Sequence, residues 1–371
     1  MVPMTRIRLW WCGLDHTFLA LATGLSLFGL VSVTAASFSL ADRLGFESFY
    51  FAYRQGTVWL MAACVALMVS MTPRAWLRAG AAGALAVVFV LLLWVLVDGV
   101  LINGARRWLA IGQFVFQPSE IVKPLAVIVS AWLLHRARQE QRASLFVWSG
   151  VLFFVLWVVV TWQPDVGQGA LLLMVWAVQC YVVGIHRRIL MMMVASFVGA
   201  AFFAYVFFPH VAVRVDGFLF AGGDAYQIER SLAAFAQGGL FGQGVGQGVV
   251  KTSLPDAHSD FIFAVIGEEW GLLGCMAVML ALVAMVALGA WRLPRDASLW
   301  VILSVLGLGS LLLFQSFIHM ASTLGMIPTK GMTLPFISYG GSSLLGIGVL
   351  TGLWLALTRR DGRVAYRGHP S

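Results

Sequence analysis

Ten stretches of this chain are apolar for about as long as it takes a helix to cross roughly 30 Å of hydrocarbon. They lie near 17–38, 55–71, 80–101, 119–135, 146–162, 168–185, 189–208, 261–289, 298–320 and 341–358. Lipid offers no partner for backbone N–H and C=O groups, so a segment inside it must satisfy its own, as a helix does. The expectation is an all-α polytopic membrane protein with ten transmembrane helices. An ordinary soluble globule is excluded, since 60% of the 371 residues are apolar and only 11% charged. The first window is too long for a signal-peptide core and no small-residue cleavage site follows it, so it reads as a retained first span.

Assigning alternate connections to the two sides gathers Arg6, Arg8, Arg74, Arg78, Arg136, Arg138, Arg142, Arg187, Arg188, Arg292, Arg295, Arg359, Arg360, Arg363 and Arg367 on one of them. Such a bias in short loops and tails marks the cytoplasmic side. It gives a cytoplasmic tail at 1–16, a ten-helix domain at 17–358 and a second cytoplasmic tail at 359–371. The only sizeable loop, 209–259, lies outside between helices 7 and 8 and is expected to fold over the outer face. The basic residues form no run or stripe, so nucleic acid is not an expected partner. Cys12, Cys64, Cys180 and Cys275 are too scattered for a disulfide framework or a metal site.

The outer side carries what is chemically unusual. In LPDAHSDFIFAVIGEEWG, residues 254–271, Asp256, His258 and Asp260 stand at the mouth of an apolar helix. Ser259 is placed as an N-cap and Asp260 at the first helical position. The helix dipole there favours a carboxylate while burial opposes it, a balance that suits a general base. An Asp at a helix start also simply caps its helix, and local sequence leaves both readings open. In NGARRWLAIGQFVFQPSEIVK, residues 103–123, Glu120 and Lys123 share a helix face. They are either a self-neutralising pair that locks two helices or, with Arg106 or Arg107, a site for an anion such as pyrophosphate. The QPDVGQG turn at 163–169 reads as turn chemistry. The glycine run at 238–248 lacks the phosphate-loop pattern and reads as flexible turns. Glu268 and Glu269 cannot both face one way on a helix, and which of them is paired stays open. Lys330 is the one basic residue in GMIPTKGMTLPFISYGGSS, residues 325–343, a non-helical excursion that must line a cavity or be covered.

These motifs, taken together and in this order, resemble the SEDS family (shape, elongation, division, sporulation) from 103 to 343, and the last of them resembles its division branch rather than its elongation branch. The resemblance implies a peptidoglycan glycosyltransferase in the bacterial cytoplasmic (inner) membrane that polymerises lipid II into a nascent glycan strand on the outer side. Its partners would be a class B penicillin-binding transpeptidase and other division proteins. The essential Asp of the family falls on Asp260, and Arg106, Trp108, Glu120, Lys123, His258, Lys330 and Ser338 are expected to bind substrate. Two departures stand out: His-Ser-Asp at 258–260, and Lys251-Thr252-Ser253 where an acidic residue is commoner. The mechanism expected is an inverting displacement that expels undecaprenyl pyrophosphate. A divalent cation, magnesium or manganese, could share the phosphate charge, although no ligand set reads as a site. The competing classes are a lipid II transporter and a non-catalytic scaffold of the division machinery. Ionisable residues clustered at the outer boundary rather than the midplane favour chemistry on that side.

Overall fold

The computed structural model describes residues 6–102, 105–112, 114–188, 225–329 and 331–360, with scattered positions between 189 and 224. The protein is mostly helical. In chain order the elements are α1 (Arg6–Gly13), α2 (His16–Arg43), α3 (Tyr50–Met71), α4 (Arg74–Asp98), β1 (Val100–Ile102), β2 (Ala105–Ile111), β3 (Phe114–Phe116), α5 (Pro118–Gln139), α6 (Ala143–Trp162) and α7 (Val166–Val182). After them come α8 (Ala225–Gly238), a short 3-10 turn (Val250–Ser253), α9 (Ile262–Trp291), α10 (Leu299–Thr323) and α11 (Gly341–Thr358). Seven of these helices are long and apolar enough to cross a membrane: α2, α3, α4, α6, α9, α10 and α11. The window at 189–208 and the stretch 209–224 lie largely outside the described residues.

The helix ends follow from local chemistry. Asp15 caps α2 by accepting the amides of Thr17 and Phe18, each at 3.2 Å. Its other role is to hold Arg292 at the end of α9, 2.9 Å away. Pro118 occupies the first turn of α5, where its missing N–H costs nothing. Asp165 caps α7 through the Gln168 amide.

Packing inverts the soluble pattern. Large apolar side chains such as Val90, Trp94 and Val97 on α4, Trp148 and Phe154 on α6, and Leu272, Leu273 and Leu280 on α9 are exposed and suit a lipid surround. The buried centre is α5, α10 and α11, where Trp354 is 1% exposed and stacks on Phe18 at 4.8 Å. Between helices in lipid the attraction is close van der Waals packing, which small residues permit. A Cβ on Gly348 would lie 2.5 Å from the Ala62 carbonyl, and one on Gly352 would lie 2.7 Å from that of Ala66. These glycines let α11 lie against α3, and Gly346 does the same for α11 against the Glu120 backbone of α5.

One part of the fold departs from the all-α expectation. The segment after α4 forms a three-stranded antiparallel sheet ordered β1-β2-β3, which pairs backbone groups that a loop would leave unmet. The third apolar window therefore ends as a helix at Asp98, and its last residues belong to β1.

Candidate active site

The polar turn ahead of α9 is organised by one carbonyl. Asp256, at φ 50°, turns its C=O so that it accepts the amides of Ser259 (3.0 Å), Asp260 (3.0 Å) and Phe261 (3.3 Å). Asp tolerates this left-handed backbone better than most residues. The turn delays the helix, which starts at Ile262 with Phe261 as its cap residue. Ser259 is thus not the N-cap: its hydroxyl donates to the Asp256 carbonyl at 3.4 Å, and Asp260 precedes the helix by two residues. The helix dipole is then a weaker influence on Asp260 than burial is.

The excursion at 331–340 clamps this turn from the other side. The Ser338 hydroxyl donates to the Ser259 carbonyl at 2.8 Å and accepts the Leu334 amide at 2.7 Å, while the Tyr339 amide donates to the His258 carbonyl at 2.9 Å. Ser338 is 2% exposed, and its hydroxyl serves as a brace between the two segments. Gly331, at φ 60°, comes so close that a Cβ there would sit 3.2 Å from Asp260 Oδ2.

Between these segments, α3 and the sheet opens a cleft of about 1370 Å³, lined among others by Arg54, Arg107, Trp108, Glu120, Gln168, Asp256, His258 and Asp260. Burial pushes the Asp260 carboxyl up to about 7; the Asp256 charge adds to this and the Arg107 guanidinium opposes it. Burial also holds the His258 imidazole below its usual value, against the pull of Asp256, so it is neutral at pH 7. Its ring packs between Phe51 and Tyr339 at 5.2 and 5.1 Å.

The cleft cation from the sheet is Arg107 rather than Arg106. Across β1 and β2, Val100 pairs with Trp108 and Leu101 with Arg106, which leaves Arg107 as the extra residue of a bulge. The bulge breaks the alternation of a strand and lets the neighbours Arg107 and Trp108 both line the cleft. Arg106 is exposed, donates to the Val97 carbonyl at 3.3 Å and borders a separate hollow. Arg107 is held by the 163–165 turn: Nε donates to the Gln163 carbonyl at 3.1 Å, another arm meets the Pro164 carbonyl, and Asp165 Oδ2 is 3.6 Å away. Burial raises the Asp165 carboxyl, and Arg107 is the largest opposing influence. What reads in the sequence as a plain turn is the mount for that arginine.

Lys123 and Glu120 pair with each other. Lys123 is 2% exposed, and its Nζ lies at 3.0 Å from both Glu120 oxygens, 2.9 Å from Gln168 Oε1 and 2.9 Å from Gln315 Oε1. Its three N–H donors thus already face four acceptors within the protein. Glu120 reaches the cleft edge and accepts from Gln168 Nε2 at 2.7 Å. Lys330 lies outside the described residues.

Both glutamates of α9 are used away from the cleft. Glu268 accepts the amides of Val250 and Lys251 at 2.7 and 2.9 Å, and Glu269 meets the Lys251 ammonium. The glycine run is not a set of loose turns. At Gly271, φ 67°, α9 breaks, and the freed groups bond the loop: Gln243 and Gly244 amides donate to the Glu268 and Glu269 carbonyls, while Leu272 and Leu273 amides donate to those of Gly239 and Leu240. The loop is spliced into the helix through backbone, which only glycines at such approach allow.

Arg54 on α3 was not expected in the site. It lines the cleft, donates to the Tyr50 hydroxyl at 3.1 Å and lies over that ring. A basic residue in the first turns of an otherwise apolar helix is the signal that would have found it. Among the described residues no three His, Cys, Asp or Glu side chains gather as a metal cluster.

The family model described as cell cycle protein, FTSW_RODA_SPOVE, matches residues 15–362. A Caulobacter vibrioides protein named probable peptidoglycan glycosyltransferase FtsW is 34% identical over 362 residues, which span 96% of this chain and 92% of that one. Among solved structures, a chain from work on the structural coordination of polymerization and crosslinking by a peptidoglycan synthase complex superposes with TM-score 0.74 and 25% identity, covering 97% of this chain and 100% of that one. The Thermus thermophilus rod shape determining protein RodA superposes with TM-score 0.70 and 25% identity, covering 94% and 97%.

Proposed function

The chain belongs to the FtsW/RodA/SpoVE family of cell cycle proteins, and on that premise we propose how it works as a peptidoglycan glycosyltransferase. It is a multi-pass membrane protein. Ten spans place both termini in the cytoplasm of a bacterial cell and the cleft on the outer side of the inner membrane. The Arg-rich connections support this orientation.

The substrate is lipid II. Asp260 takes the proton of an acceptor sugar hydroxyl, the oxygen attacks the anomeric carbon of the donor, and undecaprenyl pyrophosphate leaves with inversion. The observation that carries this reading is a carboxyl set in the wall of a cleft of about 1370 Å³ that two arginines also line, where burial pushes it up to about 7. A base with its pKa near the working pH is the efficient one, and positioned base catalysis typically contributes about 10² to 10⁴ in rate. Arg107 and Arg54 are the cations placed for the departing diphosphate, and Lys330 is a third candidate. Stabilising that charge in a partly dry site matters at least as much as the base. A divalent cation, where one takes part, would arrive with the diphosphate, since magnesium is usually held by one or two carboxylates plus phosphate oxygens.

The partner is a class B penicillin-binding transpeptidase, and the process is cell division; support comes from the FtsW relatives and from the fold shared with the synthase-complex chain. The test is polymerisation of lipid II by the purified protein with and without that partner. Asp260→Ala should make no glycan while staying folded and partner-bound. Strands made at the wild-type rate would overturn the assignment, and lipid II translocation in vesicles unaffected by the change would point to a transporter instead.

A further inference from the structure

Two side chains of α10 that this chemistry leaves unused face the segment behind Gly331. Gln315 and His319 are one turn apart and share a helix face. Gln315 Nε2 donates to the Thr333 carbonyl at 3.1 Å, and His319 Nδ1 lies 2.6 Å from the Met332 carbonyl. A carbonyl only accepts, so the proton is on Nδ1. Nε2 has no partner among the described residues, and the ring is 0% exposed. An unmet ring nitrogen in a core is a cost that leucine would avoid. What the imidazole supplies and leucine does not is the bond to Met332.

The next residue is held as well, because the Leu334 amide donates to Ser338, whose hydroxyl reaches Ser259. Residues 332, 333 and 334 are thus fixed in turn, and Gly331, just ahead of them, lays its backbone against the Asp260 carboxylate. Gln315 also accepts from Lys123, so this mount continues into α5. The geometry points to His319, supported by Gln315, as a positioning residue of the reaction: through Met332 it holds Gly331 as the wall that keeps water off Asp260. The inference rests on Asp260 being the base. Among the described residues, the other ionisable groups facing the cleft are Asp256 and His258 on the same turn, Arg107 on β2, Glu120 on α5, Arg54, Tyr50, Tyr53 and Glu47 on or beside α3, and Tyr339 on the clamping loop.

The amide nitrogen of asparagine falls near the place of Nδ1, whereas that of glutamine falls near Nε2. His319→Asn should therefore keep the bond to Met332, and His319→Gln should lose it while filling the site with a polar group of similar size. The experiment is lipid II polymerisation by the purified full-length chain across pH 5–9 for wild type, both variants, His319→Leu and Asp260→Ala, with thermal unfolding alongside. In His319→Gln, and in His319→Leu where it folds, kcat should drop about tenfold or more, as small misplacements of reacting groups do, with KM little changed. The acid limb of the kcat profile should move below its wild-type midpoint as water reaches Asp260. His319→Asn should restore both. A wild-type limb and kcat in His319→Gln, or His319→Asn behaving as His319→Gln does, would overturn the positioning role. An active Asp260→Ala would instead remove the base reading beneath it.

Discussion

Lys123 decides between a clamp and a phosphate site, and one substitution series separates the two. At 2% and 6% exposure, Lys123 and Glu120 are a buried pair whose remaining bonds go to Gln168 and Gln315. Lys123→Met removes the cation and leaves a carboxylate uncompensated in the core, which typically costs about 3–5 kcal/mol. Glu120→Gln/Lys123→Met removes the stranded charge as well. Residues in one network couple by about 0.5–3 kcal/mol, so the double variant should be clearly more stable than the sum of the two single changes. The assay is thermal unfolding of the detergent-purified protein, read beside KM for lipid II. A clamp predicts a large loss of stability, recovered in the double variant, and a KM altered no more than folding explains. A double variant whose losses simply add would refute the bonded network. A Lys123→Met protein of wild-type stability with a strongly raised KM would restore the phosphate-binding reading.

Other outcomes follow from the same geometry. The polymerisation rate should rise with pH through about 7 as Asp260 loses its proton, and Asp256→Asn should move that limb to lower pH by removing the neighbouring charge. Because Asp260 holds its proton more tightly folded than unfolded, its contribution to stability is complete below the ordinary Asp value of about 4 and is lost as pH rises through about 7, which unfolding against pH would show. Arg107→Ala should raise KM for lipid II and move the acid limb to higher pH, since the guanidinium holds Asp260 down; Arg106→Ala should leave both near wild type. Gly271→Ala should lower the unfolding temperature, because φ 67° with ψ −166° costs a residue with a Cβ about 1–3 kcal/mol and the added carbon would lie 2.4 Å from the Gly242 nitrogen.

The site divides into what pattern reveals and what contact reveals. Asp260 could be singled out as a candidate because a carboxylate at the mouth of an apolar helix stands out in such a chain, and it lines the cleft. The sequence does not tell Arg107 from Arg106, because the bulge that carries Arg107 to the cleft appears only once β1 pairs with β2. Ser259 looked like a cap because the sequence does not show that the Asp256 carbonyl would gather three amides first. The glycine run looked flexible because its bonding partners lie in a helix break some thirty residues away.

Local chemistry along the chain determined where most of the helices run, since hydrocarbon tolerates only long apolar segments whose backbones satisfy themselves. The tertiary structure decided which charges are spent on one another and which face the cleft. Lys123 is consumed by Glu120, Gln168 and Gln315, while Arg107 and Arg54 line the opening. A charge's role depends on the partners within a few ångströms of it, and those come from residues distant in the chain.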